Sequence, residues 1–132
     1  TLNVRLLPGE SLEALLERLR ATIGDDRVSL AIEYRGAPAP PSPVESPMFQ
    51  AIRDVLQAMA PGVPAVPFLS TGATDSAALR RLGVHAYGLL PFPLTEEDEN
   101  RMHGHDERVA VSSLAFAVRL AYDIVRRVAA PA

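Results

Sequence analysis

The chain has no cysteine, which removes two classes of chemistry at once: a disulfide framework and a thiol nucleophile. The same absence fits a reducing compartment, so the expected location is cytoplasmic. No run of about eighteen apolar residues occurs, and a membrane-spanning helix is therefore not expected. Lysine is also missing, and all 13 basic residues are arginine. They form no basic stripe, and the net charge of −3 is spread along the 132 residues. Nucleic acid and membrane surfaces are accordingly not expected as partners. Neither an initiating methionine nor a signal peptide precedes Thr1, so the expectation is a chain cut at its N-terminus. What is present is ordinary globular composition, 48% hydrophobic and 22% charged, with enough length for one core of moderate size.

In TLNVRLL, Leu2, Val4 and Leu6 alternate with Asn3 and Arg5, the period-two pattern of a half-buried strand with Arg5 facing away from the core. Ser11 then caps a helix whose apolar residues Leu12, Leu15, Leu16, Leu19 and Ile23 recur at threes and fours, and Gly24 stops it. Val28, Leu30, Ile32 and Tyr34 alternate in a second expected strand. Five prolines between Pro38 and Pro47 follow, and such a segment reads as an extended, semi-rigid connector.

Beyond it, Ser46 and Pro47 supply a cap and a first-turn residue for a helix carrying Phe49, Ile52, Val55, Leu56 and Met59. PAVPFL reads as a short strand, STGATDS as a polar loop, SAALRRL as a short helix, and VHAYGLL as another strand. Thr95 with Asp98 resembles a capping box opening the helix TEEDENRM. A last helix from about Ser112 to Ala129 is apolar around most of its circumference and is expected to be largely buried. Strands alternating with helices imply an α/β layer on each side of the connector.

Three places could carry chemistry. RMHGHDERV sets His103 and His105 beside Asp106 and Glu107, acceptors that could orient an imidazole. A hydrolytic zinc centre takes three protein ligands, so this loop supplies one or two at most, and a plain surface-loop histidine stays open as the alternative. His105 reads as a solvated or loop-bracing residue, and His85 as structural or exposed. Arg5 could grip a carboxylate through two parallel hydrogen bonds, or be only a solvated arginine. In the loop Ser70 to Ser76, Gly72, Ala73 and Thr74 could bring backbone amides to an anionic group at a helix start, or form only a capped turn.

The order NVRLLPGES, a proline-rich hinge, STGATDSAALRRLGVHAYGLLPFPLT and MHGHDERVAVSSL resembles the C-terminal third of zinc-dependent metallopeptidases that include carboxypeptidase G, aminoacylase, acetylornithine deacetylase and succinyl-diaminopimelate desuccinylase. The resemblance implies an α/β fold: a partial ferredoxin-like lid (strand-helix-strand) followed by the C-terminal part of an α/β zinc-hydrolase catalytic domain. Residues 1–36 would be the second half of the lid and dimerisation domain, 37–45 the linker, and 46–132 the returning catalytic domain.

It further implies two zinc ions per full-length subunit, with His103 as the one ligand in this chain and Arg5 on the substrate carboxylate. The general base and the other ligands would lie outside this chain, leaving it no catalytic residue of its own. The implied activity is hydrolysis of an amide or peptide bond beside a free carboxylate, of carboxypeptidase or N-deacylase type. The substrate would be a peptide or N-acyl amino acid, the parent a homodimer through the lid, and the isolated chain inactive. The alternative is a stand-alone small-molecule-binding or dimerisation module without catalysis.

Overall fold

The Ser11 hydroxyl accepts the Ala14 amide at 3.1 Å and opens the first helix, α1 (Leu12–Ile23). Gly24, at φ 60°, closes it in the left-handed conformation that a side chain disfavours. Both ends stand where the sequence sets them. The computed structural model describes residues 1–70 and 72–130. They form two units, Thr1–Pro41 with Ser70–Ala86, and Ser42–Leu69 with Tyr87–Ala132.

In the first unit, α1 turns Leu12, Leu15, Leu16 and Leu19 to its half-covered side, and none of its residues is fully buried. Ion pairs tie its surface to flanking segments: Arg18 to Glu10 at 3.0 Å, and Arg35 to Glu13. The short α3 (Ser76–Arg81) holds the proline-rich connector by its arginines. Arg80 Nε donates to the Pro40 carbonyl at 2.7 Å, and Arg81 to the Ala37 carbonyl at 3.4 Å. Connector carbonyls that no ladder or helix satisfies thus find donors on side chains.

The second unit is built on two helices, α2 (Pro47–Met59) and α5 (Val111–Ala129), which pack on each other. Their contact is the core: Ile52 and Val55 against Leu120 and Ile124, bordered by Met48, Leu56, Met59, Tyr87 and Phe116. A polar relay fixes the start of α2. The Phe49 amide donates to Ser46 Oγ at 3.1 Å, Ser46 and Tyr87 share a hydroxyl–hydroxyl bond, and Tyr87 donates to the Pro43 carbonyl. Since the one tyrosine proton goes to Pro43, the serine proton must go to Tyr87. Ser113 Oγ donates to the Pro93 carbonyl at 2.8 Å, and Arg127 pairs with Asp54 at 2.8 Å across the two helices.

The expected α/β fold is corrected by this structure: among the described residues there are five helices and no strand. The partial ferredoxin-like lid with its strand-helix-strand unit, and the sheet of the α/β zinc-hydrolase part, are absent with it. Residues 2–6, 28–34, 64–69 and 84–90 run without a ladder. Alternation marks two faces of a chain, but a strand exists only where a neighbour about 4.8 Å away exchanges hydrogen bonds with it. Leu2, Tyr34 and Phe68 stay 74%, 86% and 86% exposed, so these segments find no such neighbour here. Arg5 consequently lies on an exposed extended segment and not on the polar face of a sheet.

The largely buried last helix is corrected too. α5 buries only Ser113, Ala117, Leu120 and Ile124, while Val111, Leu114, Val118, Tyr122 and Val125 line an exposed side. One helix partner covers one stripe, and α2 is the only helix packed against it among the described residues.

Candidate functional site

The loop that carries His103 starts from a capped turn. Thr95 Oγ accepts the Asp98 amide at 3.2 Å and donates to the Asp98 carboxylate at 2.8 Å, opening α4 (Glu96–Glu99). Four acidic residues in one turn suit the positive end of a helix, and the helix is only that turn long. The chain then folds on itself: the Met102 amide donates to the Glu99 carbonyl at 3.1 Å and the Gly104 amide to the Arg101 carbonyl at 2.8 Å. His103 and Asp106 adopt φ 62° and 58°, the non-glycine residues at positive φ among those described.

Beneath this turn lies a network of charges. Arg101 pairs with both Glu97 and Asp106. Arg108 reaches Asp106 at 3.0 Å, Asp98 at 3.5 Å and Glu97 at 3.7 Å. The hydroxyl of Thr95 first, and then Arg108, hold the Asp98 carboxyl below its ordinary value of 3.8. Asp106 is therefore occupied by guanidinium groups and does not orient an imidazole in this structure. The sequence held a signal for half of this network, because Glu97 and Arg101 stand four apart in the favourable order. It held none for Arg108, whose partners depend on the path of the turn.

His103 and His105 are exposed. Among the described residues no three His, Cys, Asp or Glu side chains gather as a metal group, so His103 fits a zinc centre as a single contributed ligand and no more. An imidazole on a tight, backbone-bonded turn has the donor chemistry that role needs.

Arg5 is exposed in the other unit. In the loop Ser70 to Ser76, Thr71 lies outside the described residues. Gly72, Ala73 and Thr74 are exposed, and the Gly72 amide donates to Ser70 Oγ at 3.1 Å. Asp75 gives α3 no side-chain cap, and the Ala77 and Ala78 amides donate to the Thr74 and Asp75 carbonyls at 3.4 and 3.0 Å. Those amides are engaged within the turn. His85 is exposed on an extended segment.

The sequence pattern of peptidase family M20/M25/M40 matches residues 8–127. The chain is 28% identical over 129 residues to the N-fatty-acyl-amino acid synthase/hydrolase PM20D1 of Homo sapiens, covering 96% of this chain and 26% of that protein. It is 28% identical over 127 residues to the probable carboxypeptidase S-like 2 of Dictyostelium discoideum, covering 96% of this chain and 24% of that one. The chain thus spans about a quarter of the length of the curated relatives it matches. No solved structure is significantly similar to it.

Proposed function

Because the chain belongs to peptidase family M20/M25/M40, we propose that it is one segment of a zinc-dependent hydrolase that cleaves an amide bond beside a free carboxylate. The observation that carries this reading is the family match over residues 8–127, which takes in the His103 loop. The relatives narrow the substrate: an N-fatty-acyl amino acid and a carboxypeptidase substrate both present an amide next to an α-carboxylate. Peptide and N-acyl amino acid are the two substrate classes this chemistry admits.

In this reading His103 contributes one ligand to a zinc ion whose other ligands lie elsewhere in the enzyme. Zinc, when bound, supplies electrophilic polarisation of the amide carbonyl and acidifies water. The work of this chain is to hold and to bind. The backbone-bonded turn from Arg101 to Gly104 presents His103, and Arg5 binds the substrate carboxylate through charge-assisted hydrogen bonds. Cleavage itself depends on a general base that this chain does not contribute.

Metal analysis and kinetics on the full-length enzyme test the two roles separately. His103→Ala should lose zinc and depress kcat. Arg5→Ala should keep its zinc and lose about ten- to a hundred-fold in kcat/KM, the value of one hydrogen bond to a charged group. Converting the substrate carboxylate to an amide should then harm wild type far more than Arg5→Ala, since both changes remove one interaction. Full zinc in His103→Ala would sink the ligand assignment, and equal penalties from amidation would remove Arg5 from the site.

A further inference from the structure

The charge network under the histidine turn binds more than charge balance requires. Five carboxylate–guanidinium contacts converge on Arg101 and Arg108: Asp106 ties the end of the turn to Arg101 at its start, and Arg108 beyond the turn pairs with Asp106 and with Glu97 and Asp98 of α4. Of the two non-glycine residues at positive φ among those described, His103 sits between the tied points Arg101 and Asp106, and Asp106 is one of them. Left-handed backbone costs a residue that carries a Cβ, His and Asp less than most, and the carboxylate tie adds to the backbone hydrogen bonds that close this turn.

We propose that Asp106 is a positioning residue for His103: its carboxylate, gripped by Arg101 and Arg108, locks the left-handed turn from which the imidazole is offered to a metal ion. The inference rests on the reading of His103 as a ligand. The Asp106 carboxylate meets the guanidinium groups of Arg101 and Arg108 and not the imidazole, so it acts through the backbone between residues 101 and 106. Its removal also leaves the rest of the network in balance. Two arginines would still face two carboxylates, Glu97 and Asp98, so α4 keeps its partners and what is lost is the tie from Arg101 across the turn to residue 106.

The test uses the full-length enzyme loaded with zinc, in four variants: Asp106→Asn, Asp106→Glu, His103→Ala, and Glu99→Gln as a control on α4. Three quantities are read: hydrogen–deuterium exchange of the peptide spanning residues 100–108, zinc release to a competing chelator, and kcat with KM. Asp106→Asn should speed exchange in that peptide, weaken zinc retention about ten- to a hundred-fold, the usual effect of losing a group that orients a ligand, and lower kcat without raising KM. Asp106→Glu, which keeps the charge, should recover most of the zinc affinity, and Glu99→Gln should match wild type. Wild-type zinc retention in Asp106→Asn, beside zinc loss in His103→Ala, overturns the positioning role alone. An equal loss in Glu99→Gln overturns it as well, since the effect would then belong to α4 as a whole. Full zinc in His103→Ala overturns the ligand reading and this inference together.

Discussion

At Gly104 the space for a side chain is already taken: a Cβ built there would stand 3.1 Å from the Arg101 carbonyl oxygen. That oxygen accepts the Gly104 amide at 2.8 Å, so a methyl group would press on the bond that closes the turn. Gly104→Ala should therefore weaken zinc retention in the full-length enzyme by up to about ten-fold, read by chelator competition, with KM unmoved. A wild-type value would show that the turn tolerates the shift. Tyr87 offers a second single-atom test. Its hydroxyl stands between Ser46 and the Pro43 carbonyl, and Tyr87→Phe leaves both without that partner. A loss of about 1–3 kcal/mol on denaturant unfolding is expected, the cost of half-buried polar groups left unmade. Ring packing against Phe49, 6.1 Å away between centroids, should survive in the phenylalanine variant.

Among the elements, α2 depends on its first residue more than on its last. Ser46 is buried, caps the Phe49 amide and donates into the tyrosine relay, whereas Ala60 at the other end offers only its backbone. Ser46→Ala should cost about 1–2 kcal/mol, at the upper end for a cap because a second hydrogen bond goes with it. Circular dichroism under urea would check this. In α5 the two apolar stripes are unequal in effect. Leu120, at 3% exposure, sits in the contact with α2, so Leu120→Ala should destabilise by about 2–4 kcal/mol. Val118→Ala, on the exposed side at 62%, should change stability by less than about 0.5 kcal/mol.

Over the whole molecule, acid is the informative perturbation. The carboxyls of Glu10, Glu13, Asp25 and Asp98 are all held below their ordinary values. For Glu10 the Leu7 amide is the main cause, with Arg18 next; for Asp25 it is the Arg27 guanidinium. A depressed carboxyl binds its proton less readily when folded, so its contribution is complete above the ordinary value and is lost as pH falls through the lower folded one. Stability should accordingly hold down to the ordinary carboxyl values of 4.5 and 3.8 and decline below them. Thermal unfolding followed across that range would show it, and added salt should flatten the dependence because these pairs face water. A second expectation concerns the 132-residue chain alone. With one candidate ligand and no metal group among the described residues, isothermal titration with zinc should find no tight stoichiometric site.

The sequence by itself determined the local events: the Ser11 cap and Gly24 stop of α1, the Ser46–Pro47 start of α2, the Thr95 start of α4, and the apolar stripe that α2 turns to its partner. The caps and the stop are contacts between residues at most a few positions apart, and the stripe is a spacing within one helix, so residue type and spacing suffice. His103 became a candidate through the resemblance of its motif to a known family, and as a ligand it stands as a proposal. Only the tertiary structure decided whether the alternating segments would pair, which stripe of α5 would be covered, and what would hold Asp106. A ladder needs a second chain segment, α5 needs α2, and Arg108 reaches Asp106 only because the turn brings it back. Those partners come together through the path of the chain in space, and spacing along the sequence does not contain that path.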